Sequence, residues 1–351
     1  MVQNRQEFFG YTAAGKPVTR YWLCNDAMQV GIIDLGGSIQ SVIVQNRTGQ
    51  AVDVALGYDN PRAYETQKQF IGALIGRYGN RIARSRFTLD GVEYLLPAND
   101  GCNHLHGGSG FHTQLWQGQL EANELVLRLI SPTGSDGYPG TLHVEVRYTL
   151  TDKALRIHYQ AYTDAPTLCN LTNHAYWNLA GHTAGAEAIA RHQICLPAYY
   201  FTAINNEAIP TGALCPVADT PLDLRKPIAI GAKWDSPDVQ IQNVGGYDHN
   251  YVLRDNVGTL HAAGQVYSPD SGIIMSVQTT LPGVQFYSGN SLVNAPLGKG
   301  GTVYSRRSGF CLETQFFPDS VHHPAWPQAI LRPNEQWPHD TIYQFTCEED
   351  K

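Results

Sequence analysis

Hydrophobic positions along this chain recur at every second residue far more often than at every third or fourth. Leu142, Val144, Val146, Tyr148 and Leu150 alternate with polar neighbours, the pattern of an antiparallel strand with one face in a core. Similar short runs occupy 29–35, 39–44, 124–130, 155–161, 272–278 and 341–346. From Phe87 to Tyr94 the chain reads as a hairpin, because Asp90-Gly91 supplies the positive φ angles of a tight turn. No long segment has a 3.6-residue period. The best short helix follows Asn60-Pro61, where proline suits the first helical turn. This many strands with few short helices predicts an all-β protein, a large antiparallel β-sandwich.

Composition narrows the picture. Thirty-four glycines and twenty prolines are spread over the 351 residues, with no linker, low-complexity run or repeat to divide them. One domain over residues 1–351 is therefore expected. The net charge is −7, from 24 Lys and Arg against 31 Asp and Glu, which argues against a nucleic-acid or anionic-membrane partner. No 18-residue apolar stretch and no apolar stretch near the amino terminus occurs, so a soluble cytoplasmic protein is expected. The seven cysteines include no Cys-x-x-Cys spacing and predict free thiols.

Candidate chemistry lies in short polar and aromatic segments flanked by glycine or proline. Gly76-Arg77-Tyr78-Gly79-Asn80-Arg81 sets two arginines among glycines, and Asn103-His104-Leu105-His106-Gly107-Gly108 ends in a turn. Asn170-Leu171-Thr172-Asn173-His174-Ala175-Tyr176-Trp177-Asn178-Leu179 gathers amides, a histidine and two aromatics. Asp248 precedes a strand, Gln285-Phe286-Tyr287-Ser288-Gly289-Asn290 mixes aromatic and amide groups, and Glu313 is a lone carboxylate in an apolar strand. This inventory suits a sugar: aromatic faces cover the apolar face of a pyranose, and Asp, Asn, Arg and Gln bond its hydroxyls. A desolvated carboxylate facing an imidazole can run acid–base chemistry near neutral pH. Each residue also has a plainer reading: Arg77 or Arg81 as a strand-end ion pair, and Asp248 as a turn residue. His104 and His106, with His322-His323, raise a metal site; no carboxylate lies at close spacing, so none is expected.

Together these segments resemble the aldose 1-epimerase (galactose mutarotase) family. The specific matches are Asn173-His174-Ala175-Tyr176-Trp177-Asn178-Leu179 and Leu312-Glu313-Thr314-Gln315 with Pro318-Asp319. Leu105-His106-Gly107-Gly108, Gly137-Tyr138-Pro139-Gly140 and 285–290 support them in the same order along the chain. The resemblance implies the family's large sandwich fold, an aldose substrate, no cofactor and no metal, and leaves monomer or homodimer open. It implies Glu313 as general base and His174 as general acid. It also implies sugar-binding roles for Asn80, Arg81, His106, Tyr176, Asp248 and Gln285. Phe111-His112-Thr113 and His322 depart from the family pattern, which bears on substrate preference at the rim. On this reading Glu313 takes the C1 hydroxyl proton while His174 protonates the ring oxygen, with the base ionised and the imidazole charged. A hexose-phosphate epimerase, a glycoside hydrolase using Asp248 with Glu313, and a non-catalytic sugar-binding protein are the competing readings.

Overall fold

The alternating runs become sheet in the computed structural model, which describes residues 3–253 and 257–348. The run from Leu142 is the strand Leu142–Thr151, and its burial alternates residue by residue as far as Leu150. It pairs antiparallel with Glu124–Ser131 on one side and Ala154–Thr163 on the other. The runs at 29–35, 39–44, 272–278 and 341–346 lie in Met28–Ile33, Ile39–Gln45, Ile273–Thr279 and His339–Cys347. The hairpin is present: Arg86–Leu89 pairs with Val92–Leu95 across Asp90 (φ 51°) and Gly91 (φ 82°).

The expected short helix is Pro61–Thr66, where the Asn60 side chain accepts the N–H of Ala63 at 3.0 Å. Such a cap is worth about 1 kcal/mol. Two further helices, Gly185–Arg191 and Val239–Val244, were not anticipated. At seven and six residues they make too few turns for a hydrophobic period to emerge.

Three sheets carry the fold. An amino-terminal five-stranded sheet runs in chain order from Arg5–Tyr11 to Ala51–Asp53. A nine-stranded sheet has Gln117–Leu120 at one edge, and Ala154–Thr163, His339–Cys347 and Ile273–Thr279 adjacent at its middle. A second five-stranded sheet runs in the order Pro210–Pro216, Tyr200–Ile204, Asp248–Val252, Gly283–Tyr287, Cys311–Gln315. Inward residues of all three, among them Val30, Val146, Ile157, Met275, Phe286 and Leu312, form one hydrophobic core. Full burial of side chains of this size stabilises by roughly 1.5–3 kcal/mol each.

The second five-stranded sheet positions the site. Its register sets Asp248 opposite Tyr287, Asn250 opposite Gln285, Gln285 opposite Glu313 and Tyr287 opposite Cys311. Facing residues in a pleated sheet point to the same side, so one face carries Asp248, Asn250, Gln285, Tyr287, Cys311 and Glu313. The other face gives Tyr251, Val284, Phe286 and Leu312 to the core. The strand that carries Glu313 as its one carboxylate is thus buried on both sides, one against the hydrophobic core and one against a polar cavity.

Candidate active site

Two short ladders bring remote segments to the polar face of that sheet. Arg81–Ile82 pairs with His104–Leu105, and Leu74–Ile75 pairs with Thr172–Asn173. The first is locked by a reciprocal bond: the His106 N–H donates to the Asn80 carbonyl at 3.0 Å, and the Asn80 N–H donates to His106 Nδ1 at 3.1 Å. Gly107 is indispensable to this approach. It has φ +76°, and a Cβ there would lie 2.1 Å from the Gly76 carbonyl oxygen. Asn170 joins the second segment to the sheet, accepting the Phe316 N–H at 2.9 Å and donating to the Gly79 carbonyl.

The result is a cavity of about 220 Å³ lined by Asn80, Arg81, His106, His174, Tyr176, Asp248 and Glu313, among others. Seven of the eight residues singled out from the sequence therefore meet in one place. Gln285 does not line it. Its Nε2 donates to Asp248 Oδ1 at 2.7 Å and its Oε1 accepts from Gln315 at 3.3 Å, so it stands one layer behind Asp248. The sequence reading missed Phe70, Tyr287, Lys68, Gln69, Asp100 and Ser291, which complete the wall together with Leu105. Phe70 left no pattern to find: it is an isolated aromatic held at φ 58°, with ring centroid 4.7 Å from His106 and 5.9 Å from His174. His112 packs on the same ring at 4.8 Å and is not among the residues that line the cavity. A larger hollow of about 610 Å³ lies over the nine-stranded sheet, but its Arg128 and Glu145 bond each other at 2.7 Å and leave no free acid–base pair.

Glu313 and His174 sit at the centre. His174 Nε2 is 3.7 Å from Glu313 Oε1, and the two side chains are only 6% and 3% exposed. Glu313 Oε2 is buried without a partner. Tyr176 stacks on the imidazole at 5.1 Å. Burial pushes the Glu313 carboxyl well above the usual carboxylate range, with Asp248 adding to the push and Arg81 opposing it. Burial likewise lowers His174 to about 4, against a contact with its own backbone that raises it. The separation is that of an ion pair, yet both shifts favour the neutral pair. Both directions run against the charged pair expected from the sequence.

Around this pair the charges are arranged. Burial also raises Asp248, while Arg81 and the Gln285 bond pull it down. Arg81 itself is bonded to Asp100 at 2.7 Å, and that ion pair is the one anticipated. Arg77 is different: among the described residues it meets no carboxylate. It donates instead to Ser131 Oγ and to the carbonyls of Ser131, Pro132, Pro139 and Gly140 at 2.6–2.9 Å. Arg84 and Arg86 are exposed.

Donors of His106, His174 and Glu313 lie within 4.8 Å of one another, close enough to bracket a metal ion. The His106 tautomer argues otherwise. Its Nδ1 accepts from a backbone N–H, so a neutral ring carries its proton on Nε2, and burial keeps the ring neutral. That nitrogen offers a hydrogen bond to the cavity, not a lone pair to a cation. The other histidines disperse: His104 donates into the wall at Pro97, and His322 bonds Asp319 at 2.6 Å.

Comparison with known proteins follows this geometry. The family model described as aldose 1-epimerase matches residues 19–344. The chain is 41% identical to the galactose mutarotase of Rattus norvegicus over 348 residues, 99% of each chain. It is 38% identical to the aldose 1-epimerase of Escherichia coli strain K12 over 340 residues, 95% of this chain and 97% of that one. Its fold matches the GalM/aldose epimerase homologue from C. elegans at a TM-score of 0.85, with 27% identity, covering 93% of this chain and 98% of that one.

Proposed function

The chain belongs to the aldose 1-epimerase family and is an isomerase of sugar anomers, and from that premise we propose that it acts on free hexoses, galactose among them, through Glu313 and His174. The observation that carries this reading is the buried pair at 3.7 Å. Opening a hemiacetal removes a proton from the C1 hydroxyl and delivers one to the ring oxygen as the C1–O5 bond breaks. The two oxygens share one carbon, so a base and an acid this close reach both. As the sugar binds, the carboxyl proton passes to His174 Nε2; ionised Glu313 then takes the O1 proton and protonated His174 supplies O5. The opened aldehyde then leaves the neutral pair, the proton arrangement that burial favours in the free site. Rotation about C1–C2 presents the other face of the aldehyde to the C5 hydroxyl, and the exchange runs backwards to close the opposite anomer. Because opening and closing each return the same proton count, no proton need enter from solvent.

The surrounding groups have positioning roles. His106 Nε2–H, Asn80 and Arg81 donate to sugar oxygens, Asp248 accepts from a hydroxyl, and Gln285 holds Asp248. Tyr176 and Phe70 supply apolar faces. A phosphorylated hexose would need a basic cluster, but Arg77 is spent on carbonyls and Arg84 and Arg86 are exposed. Of the two cations in the cavity wall, Arg81 is paired with Asp100, which leaves the single exposed Lys68. Among the described residues no helix is long and apolar enough to cross a membrane, and with the acidic net charge this supports a cytoplasmic enzyme without nucleic-acid partners. The sheets are read as one sandwich domain acting as a monomer or homodimer.

Freshly dissolved α-galactose and α-glucose, followed by optical rotation, test the assignment. Glu313→Gln is expected to lower turnover at least about a hundredfold, the scale of a positioned proton transfer. A folded Glu313→Gln protein of near-normal turnover removes Glu313 from the chemistry. Faster mutarotation of glucose 6-phosphate than of glucose would move the substrate to the phosphorylated class.

A further inference from the structure

The two ring nitrogens of His174 each face a side chain of one strand. Cys311 and Glu313 lie on the same face of Cys311–Gln315, two residues apart. Glu313 Oε1 meets Nε2 at 3.7 Å, and Cys311 Sγ meets Nδ1 at 3.5 Å. The thiol is fully buried, and it is the one side chain described within hydrogen-bond distance of Nδ1. Tyr176 covers the ring face at 5.1 Å, so the ring cannot tip to find another partner.

From this bracket we infer that Cys311 is a positioning residue: its sulfur accepts the Nδ1–H of His174 and so keeps Nε2 as the nitrogen that exchanges the proton. The inference rests on His174 being the acid–base partner of Glu313. In a neutral imidazole one nitrogen carries the hydrogen and the other the lone pair, and the partner of the first decides the chemistry of the second. A proton left on Nδ1 makes Nε2 a base when the ring is neutral and an acid when it is charged. Both are needed, since the roles reverse between opening and closing. A weak sulfur acceptor suits this double duty. A carboxylate at that place would stabilise the imidazolium, as the aspartate of a hydrolytic triad does, and bias the ring towards its charged form. Burial, with Glu313 and Asp248 nearby, keeps Cys311 a neutral thiol rather than a thiolate, so it adds no charge of its own. The other ionisable groups around the ring are His106 at 5.2 Å and Tyr287 at 6.3 Å between ring centroids, with His112 beyond Phe70. Burial lowers both histidines and raises the tyrosine, so all three stand neutral near pH 7 and none supplies a competing charge.

The test compares Cys311→Ala with Cys311→Ser in the full chain and adds a nitrogen-15 spectrum of the histidine rings. Cys311→Ala is expected to lower kcat roughly tenfold, the effect of losing one orienting hydrogen bond on a working group, with KM within about twofold. Cys311→Ser, whose hydroxyl also accepts, should recover most of that loss. The spectrum should show His174 protonated at Nδ1 in the native protein and as a mixture of tautomers in the alanine variant. A native ring protonated at Nε2 overturns the inference, as does a native kcat in Cys311→Ala, or equal losses in both variants accompanied by equal falls in Tm. His174→Asn separates the two claims: if it leaves kcat intact, the acid–base reading fails on its own account, while the tautomer is read independently of turnover.

Discussion

Glu313 shows how far one residue's properties depend on its surroundings. A glutamate in an apolar strand is recognisable in any sequence, and its desolvation follows from its neighbours. The direction of its shift was therefore legible; the matching fall of His174 to about 4 was not, because it required knowing that the imidazole is equally enclosed. Two measurable consequences arise at this scale. First, the acidic limb of kcat/KM is expected near pH 4, where His174 takes up a second proton, rather than near an ordinary histidine value. The limb belongs to the coupled pair and is read from a pH–rate profile; an acidic limb above about pH 6 would mean the ring is charged in the free enzyme. Second, Glu313 has a raised folded pKa, so its stabilising contribution is present below the ordinary carboxylate range and is lost as pH rises. Glu313→Gln should then be at least as stable as the native protein at pH 8, despite its lost activity, and thermal unfolding at that pH checks it. A clear drop in Tm would show a carboxylate satisfied by partners the structure does not contain.

Among the elements, Arg77 carries the most structure per side chain. Its identity beside Gly76 suggested an ion pair or a phosphate contact, yet it gathers the carbonyls of 131–132 and 139–140 against the segment that ends in Asn80 and Arg81. Nothing in spacing reveals this, since carbonyls have no sequence signature. Removing the guanidinium leaves several buried acceptors unpaired, each costing about 1–3 kcal/mol. Arg77→Ala is expected to lose at least about 3 kcal/mol in urea unfolding, and an unchanged midpoint would show those carbonyls finding other partners. By contrast, alternating strands, the Asp90-Gly91 hairpin and the helix at Asn60-Pro61 were each visible, because period, turn chemistry and capping are local.

For the whole molecule, the buried histidines set the response to acid. His112, His174, His192 and His339 are each lowered to about 4, and His249 to about 3, in every case chiefly by burial. His192 shows why the neutral ring is built in: it bridges the Leu179 N–H and the Ala188 carbonyl, which an imidazolium could not do. A lowered folded pKa means that stability is complete above the ordinary value of 6.5 and is lost as pH falls towards about 4. Asp34, raised to about 6, and Asp248 and Glu313 act in the opposite sense over the same range. His104, His106 and His182 are lowered by burial as well, and eight groups against three predict a net fall, read as a lower urea midpoint at pH 5 than at pH 7. An equal or higher midpoint at pH 5 would show that the carboxyls dominate.

By itself the sequence determined the all-β architecture and half of the cavity wall, Glu313 and His174 among it, because side-chain alternation and the order of the sugar-suited segments are properties of the chain read along its length. Only the tertiary structure decided which layer each residue occupies: Gln285 behind Asp248, His104 turned into the wall while His106 enters the cavity, and Phe70 drawn in from an unremarked loop. It also decided the protons. A pKa is set by everything that encloses a group from all sides, and enclosure exists only once strands from distant parts of the chain have closed around it.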